Sequence, residues 1–84
     1  MKIIYAPSFL NRFKRLPQEL QEEVFEKIDS FKNIKNHTLL KVHKLKGRLK
    51  GRYSFSVNYK VRIIFKKEKQ EFHFLDIGDH SMYN

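Results

Sequence analysis

Arg52-Tyr53-Ser54-Phe55-Ser56-Val57-Asn58-Tyr59-Lys60-Val61-Arg62-Ile63-Ile64-Phe65-Lys66-Lys67 holds two strand patterns back to back. Tyr53, Phe55, Val57 and Tyr59 alternate with Ser54, Ser56 and Asn58, which is the period of a half-buried strand. A tight turn near Asn58 to Lys60 returns the chain into Val61 to Lys67. There Val61, Ile63 and Phe65 share one face, and Lys60, Arg62 and Lys66 share the other with Ile64. Glu68 to Gln70 supplies the next hairpin turn, Phe72 to Ile77 the last strand, and Gly78 its end. Three antiparallel strands in a meander are the expectation for this half of the chain.

Upstream, Lys2 to Tyr5 is β-prone and stops before Pro7, a residue suited to the first turn of a helix. Phe9, Phe13 and Leu16 then recur at helical spacing. Pro17 disfavours helical geometry at Leu16 and can open a new helix. Leu20, Val24, Ile28 and Phe31 make a second apolar stripe, and Glu19, Glu22 and Glu23 near its start suit the helix dipole. Residues 33–51 are mixed and basic, with Gly47 and Gly51 as their only punctuation. The expected architecture is one α+β domain over residues 1–84: an N-terminal strand, a helical hairpin and the meander, with both helices on one face of the sheet.

At 84 residues such a chain buries only about 60% of its unfolded surface, so chemistry belongs on an exposed face or shallow groove. No cysteine is present, which excludes a disulfide framework, thiolate catalysis and cysteine-ligated zinc. The apolar runs are only a few residues long, too short to span a bilayer, and Met1 to Tyr5 lacks the apolar stretch of a signal peptide. The cytoplasm is the expected location, with no membrane partner. No glycine-rich nucleotide loop and no convincing metal set is found; Asp76, Asp79 and His80 together are weak, and no cofactor is expected.

The net charge of +9 is unevenly spread. Five of the nine acids, Glu19, Glu22, Glu23, Glu26 and Asp29, fall within eleven residues. From Ser30 to Lys67 there is no acid, against twelve Lys and Arg. A field of one sign over nearly half a chain calls for an anionic partner. Aromatic and polar residues interleave with the cations, which favours nucleic acid; Lys41, Lys44, Lys46, Arg48, Lys50 and Arg52 are the candidate contacts. Cleaving RNA without a metal needs a base for the ribose 2′-hydroxyl, an acid for the departing 5′-oxygen and a fixed cation on the phosphate. His suits both proton roles and Arg suits the phosphate. His43 in the densest basic run, His80 beyond the last strand and Arg62 opening the central strand are the candidates. His73, inside a strand, reads as packed or at an edge, and His37 as a solvated loop residue.

Leu45 to Phe65, followed by Leu75-Asp76-Ile77-Gly78-Asp79-His80, resembles the RelE/ParE toxin superfamily of type II toxin–antitoxin systems. The shared pattern is a leucine with a glycine turn, an aromatic strand, an arginine opening the next apolar strand, and a last strand ending in glycine and a basic residue. The closest pattern is that of the RelE/YoeB/YafQ-like mRNA interferases, with histidines as in the YafQ-like branch. The resemblance implies an endoribonuclease that cuts mRNA on the ribosome and is neutralised by a cognate antitoxin in a hetero-oligomer. It implies His43 as general base, Arg62 as phosphate ligand, His80 as acid or charge stabiliser, Tyr83 as the terminal aromatic, and Lys46 and Arg48 as part of an RNA-contacting loop. The alternative within the superfamily is a ParE-like toxin that binds and inhibits DNA gyrase without chemistry. A nucleic-acid-binding module with no toxicity is a third reading.

Overall fold

The computed structural model describes residues 1–79. Strand β1 (Lys2–Tyr5) leads into helix α1 (Pro7–Phe13) and helix α2 (Gln18–Phe31); β2 (His43–Lys44), β3 (Tyr53–Ser56), β4 (Val61–Glu68) and β5 (Glu71–Asp79) follow. The sheet order is β1-β5-β4-β3-β2. β1 runs parallel to β5 and every other pairing is antiparallel. The expected α+β layout is therefore present.

The two prolines set the helix starts. Pro7 occupies the first turn of α1, and Pro17 precedes α2 as its N-cap residue. The corner between them is held by Gln21, whose Nε2 donates to the carbonyls of Phe13 and Leu16, both at 3.1 Å. Those carbonyls lie where α1 has run out of its own amide donors. One face of each element then enters a single core: Phe9 of α1, Val24, Ile28 and Phe31 of α2, and Phe55, Ile63, Phe65, Phe72, Phe74 and Ile77 of the sheet. Phe31 is its hub, with the rings of Phe55, Phe65, Phe72 and Phe74 at centroid distances between 4.6 and 5.5 Å.

Several boundaries differ from the sequence expectations. β3 stops at Ser56, and Val57 to Lys60 form the turn, which leaves Tyr59 in solvent instead of on the core face. Gly78 lies within β5, paired with Arg62, and the strand continues to Asp79. The basic stretch contributes a strand of its own, β2, paired with β3. His37 is packed rather than solvated: its ring stacks on Phe31 at 4.4 Å and its Nε2 donates to the Phe31 carbonyl at 2.8 Å. His73 sits half-buried on an interior strand, its Nε2 3.0 Å from Glu71 Oε1.

The helix-free face of the sheet is partly roofed. Ser54 is fully buried and Ile64 nearly so, although both point away from the helices. The segment from Leu45 to Arg52 is closed at its base, where the Leu45 amide donates to the Arg52 carbonyl at 2.8 Å. Leu49 and Arg52 line one groove with Ile64 and Leu75. Gly47 and Gly51, at φ +71° and +89°, supply the left-handed backbone that this excursion needs.

Candidate functional site

Register decides which side chains meet on the helix-free face. One row across the sheet runs His43, Ser54, Ile64, Asp76, and the next runs Ser56, Arg62, Gly78. Residues two apart on a strand share a face, so His43 and Arg62 stand on the same side, on strands two positions apart. Two strand spacings put their backbones about 10 Å apart in that direction.

His43 is exposed at the sheet edge, yet its ring is oriented. Nδ1 lies 2.8 Å from the Lys41 carbonyl. A carbonyl only accepts, so Nδ1 carries the hydrogen and the neutral ring presents Nε2 as its basic nitrogen. Nε2 faces the buried Ser54 hydroxyl at 3.5 Å. Lys41 aims its carbonyl from a left-handed backbone, φ 58°, a conformation uncommon for a residue with a side chain.

Arg62 is half-buried at the start of β4. Its Nη1 donates to the Asn58 carbonyl at 2.7 Å, which ties the guanidinium to the β3–β4 turn. Asn58 braces that turn from within: Oδ1 accepts from the amides of Lys60 at 2.9 Å and Val61 at 2.8 Å. Its Nδ2 donates to Glu23 Oε1 at 2.9 Å, anchoring the turn to α2. Arg62 and Lys41 line one groove of about 440 Å3 together with Ser56 and with Glu26, Lys27 and Ser30 of α2, at the end of the sheet where the helix approaches the β3–β4 turn.

Lys41, Lys44, Lys46, Arg48, Lys50 and Arg52 are all exposed, on the β2 edge and the segment that follows it. Three of the sheet's acids, Glu71, Glu68 and Asp76, are engaged by cations other than Arg62. Lys2 pairs with Glu71 at 3.4 Å and Lys66 with Glu68 at 2.9 Å, six residues along β4 from Arg62, or about 20 Å at 3.3 Å per residue. Asp76, the acid in the His43 row, is held by Arg12 Nε at 3.0 Å and by the Ile77 amide at 2.9 Å. Among the described residues no group of three or more His, Asp or Glu side chains is placed to hold a metal ion. His80 and Tyr83 lie outside the described residues.

Three solved structures share this architecture. A YoeB/ParE toxin from Agrobacterium tumefaciens superposes with a TM-score of 0.75 at 20% identity, covering 95% of this chain and 99% of that one. This is the RelE/YoeB-like toxin fold. A chain of the heterotetrameric YoeB–YefM toxin–antitoxin complex from Staphylococcus aureus gives 0.70 at 21% identity, covering 95% and 97%. YafQ from E. coli gives 0.62 at 18% identity, covering 96% and 94%. No family model and no curated protein matches the sequence.

On this RelE/YoeB-like sheet, the structure brings His43 and Arg62 to one face and puts the six basic candidates on an adjoining exposed edge. Sequence reasoning missed Ser54 and Tyr59. Ser54 carries an alternation signal for the helix-free face, but a polar residue on that face reads as solvated, whereas it is fully buried beside His43. Tyr59 would have been found had Asn58 been read as the turn's brace, since the strand then ends before it.

Proposed function

We propose that the chain is the toxin of a toxin–antitoxin pair and that it cleaves mRNA on the ribosome, in the cytoplasm, without a metal ion. The observation that carries this reading is His43 and Arg62 on one side of the sheet, with the imidazole turned so that Nε2 is its basic nitrogen. The RelE/YoeB-like fold and the acid-free basic run beside the pair support it.

In the proposed reaction His43 Nε2 takes the proton of a ribose 2′-hydroxyl, and the 2′-oxygen attacks the adjacent phosphorus. The phosphorus–5′-oxygen bond breaks as an acid returns a proton to the leaving oxygen; His80, next in sequence after Asp79, is assigned that role. Arg62 stabilises the charge that builds on the phosphate, for which a planar guanidinium matches two oxygens at once. Tyr83 would orient the substrate, and the exposed cations from Lys41 to Arg52 would hold the RNA backbone. The products are a 2′,3′-cyclic phosphate, which added water opens to a 3′-phosphate, and a 5′-hydroxyl.

End-group analysis of RNA cut in EDTA tests the chemistry. Cyclic or 3′-phosphate ends with full activity are expected. Loss of cleavage in EDTA, or 3′-hydroxyl ends, would overturn it, and inhibition of DNA gyrase without any RNA cleavage would favour the ParE-like alternative.

A further inference from the structure

The groove that contains Arg62 and Lys41 extends past them to two exposed apolar side chains. Tyr59 is 82% exposed and Leu39 79% exposed, and both line this groove. A single apolar residue in solvent needs no explanation. Two of them on a groove with a half-buried arginine are a different matter, and so is the way they are held.

Neither sits on a loose loop. Tyr59 follows Asn58, whose side chain and carbonyl bind Lys60, Val61, Glu23 and Arg62. The turn is closed further by the Val57 amide on the Val61 carbonyl at 2.9 Å. Leu39 precedes Leu40, which is buried in the core, donates its amide to Asn36 at 2.9 Å and accepts from the Ser56 amide at 2.8 Å. A braced backbone beneath an exposed ring lowers the ordering cost that binding would otherwise incur. α2 adds one charge of each sign to the same groove, Lys27 and Glu26, so Lys27, Lys41 and Arg62 outnumber its one acid by three to one.

We infer that this groove is a subsite for one nucleotide of single-stranded RNA, with its base stacked on Tyr59 against Leu39 and its phosphate beside Arg62 and Lys41. The volume, about 440 Å3, is within the range of about 300–1,000 Å3 typical of small-ligand sites. An aromatic face accepts any base, and neighbouring cations take the backbone charge. An acidic peptide would use Lys27, Lys41 and Arg62 but has no comparable use for a flat ring beside them. The inference rests on the RNA reading above and adds a base-binding residue to it.

The test uses binding, so that it does not depend on catalysis. A 2′-O-methyl RNA octamer has no nucleophile and cannot be cut; an abasic ribose-phosphate octamer has the same charge and no bases. Anisotropy titrations would compare the full chain with Tyr59→Ala and Tyr59→Phe. Tyr59→Ala should weaken binding of the methylated RNA about tenfold, a typical loss for one stacked base, and Tyr59→Phe should retain it. Neither change should alter binding of the abasic octamer. Equal methylated-RNA binding by the wild type and Tyr59→Ala would overturn the base subsite alone, leaving the catalytic reading standing. A wild type that binds neither octamer would overturn both. Loss in Tyr59→Ala of binding to a glutamate-rich peptide, with RNA binding unchanged, would make the groove a protein-docking site instead. Thermal melting of each variant would show that the fold is intact, as expected for a change at so exposed a position.

Discussion

Arg62 has one observed contact and one proposed role, and a single substitution read in two ways separates them. Its Nη1 bond to the Asn58 carbonyl contributes to the turn, and a hydrogen bond of this kind is worth about 1 kcal/mol net, somewhat more with a charged donor. Its proposed contact with the phosphate is worth more during reaction: losing one transition-state donor costs on the order of 2–4 kcal/mol. Arg62→Ala should therefore lower the cleavage rate far more than it lowers the denaturation midpoint. Single-turnover kinetics beside urea melts would decide; a folded variant with undiminished cleavage would place the phosphate elsewhere. At the other end of β4 the electrostatics are those of a solvated pair. The hydrogen bond from Lys66, followed by its charge, holds the Glu68 carboxyl below its ordinary value. A depressed folded-state value means that any stability from this pair is present above the unfolded value and lost as pH falls through the folded one. The pair is exposed, so little is at stake. Lys66→Ala should raise the Glu68 titration midpoint toward the ordinary carboxylate range in a carbon-detected NMR titration, and an unmoved midpoint would remove Lys66 as the cause.

Among the elements, α2 is tied to the sheet through Phe31, which at its end touches rings from β3, β4 and β5. Removing that ring leaves a cavity among rigid aromatics that cannot collapse to fill it. Phe31→Ala should cost about 3–5 kcal/mol, read from urea melts; a loss below about 1.5 kcal/mol would mean the cluster repacks, as interchangeable apolar groups do. The stripe of α2 and the strand alternation of β4 were legible because each repeats a period several times, and Pro7 and Pro17 marked where helices begin. β2 was not legible, since two residues carry no period. Its existence follows from β3 offering an unpaired edge. The end of β3 was misplaced for a local reason: Asn58 binds the amides of Lys60 and Val61, and that side-chain turn overrides the alternation running through it. The same limits apply to the site. Alternation alone puts Arg62 opposite the core, whereas the pairing of His43 with Ser54 depends on register across a glycine-bearing excursion. His37 had no periodic signal at all, and only the tertiary structure puts its ring on Phe31.

At the scale of the whole molecule, charge is segregated along the chain and in space. Twelve cations and no acid lie between Ser30 and Lys67, and the six from Lys41 to Arg52 are exposed. Under the proposed toxin reading, the antitoxin that silences such a surface would bring acid to it, as part of a toxin–antitoxin hetero-oligomer. Charge and apolar contact would then divide the work. Buried anchors dominate interface affinity, while exposed ion pairs contribute little each and mainly accelerate encounter. At an ionic strength of about 0.15 M the screening length is about 8 Å, against about 30 Å at 0.01 M. Over that interval the pull of the basic edge on an approaching acidic segment shrinks to contact range. The association rate with the cognate antitoxin should therefore fall steeply as salt is added, and dissociation should change far less. Stopped-flow measurements across this range would show it. An association rate indifferent to salt would mean that the antitoxin first lands away from the basic edge, with the apolar surface of the helices as the next place to look.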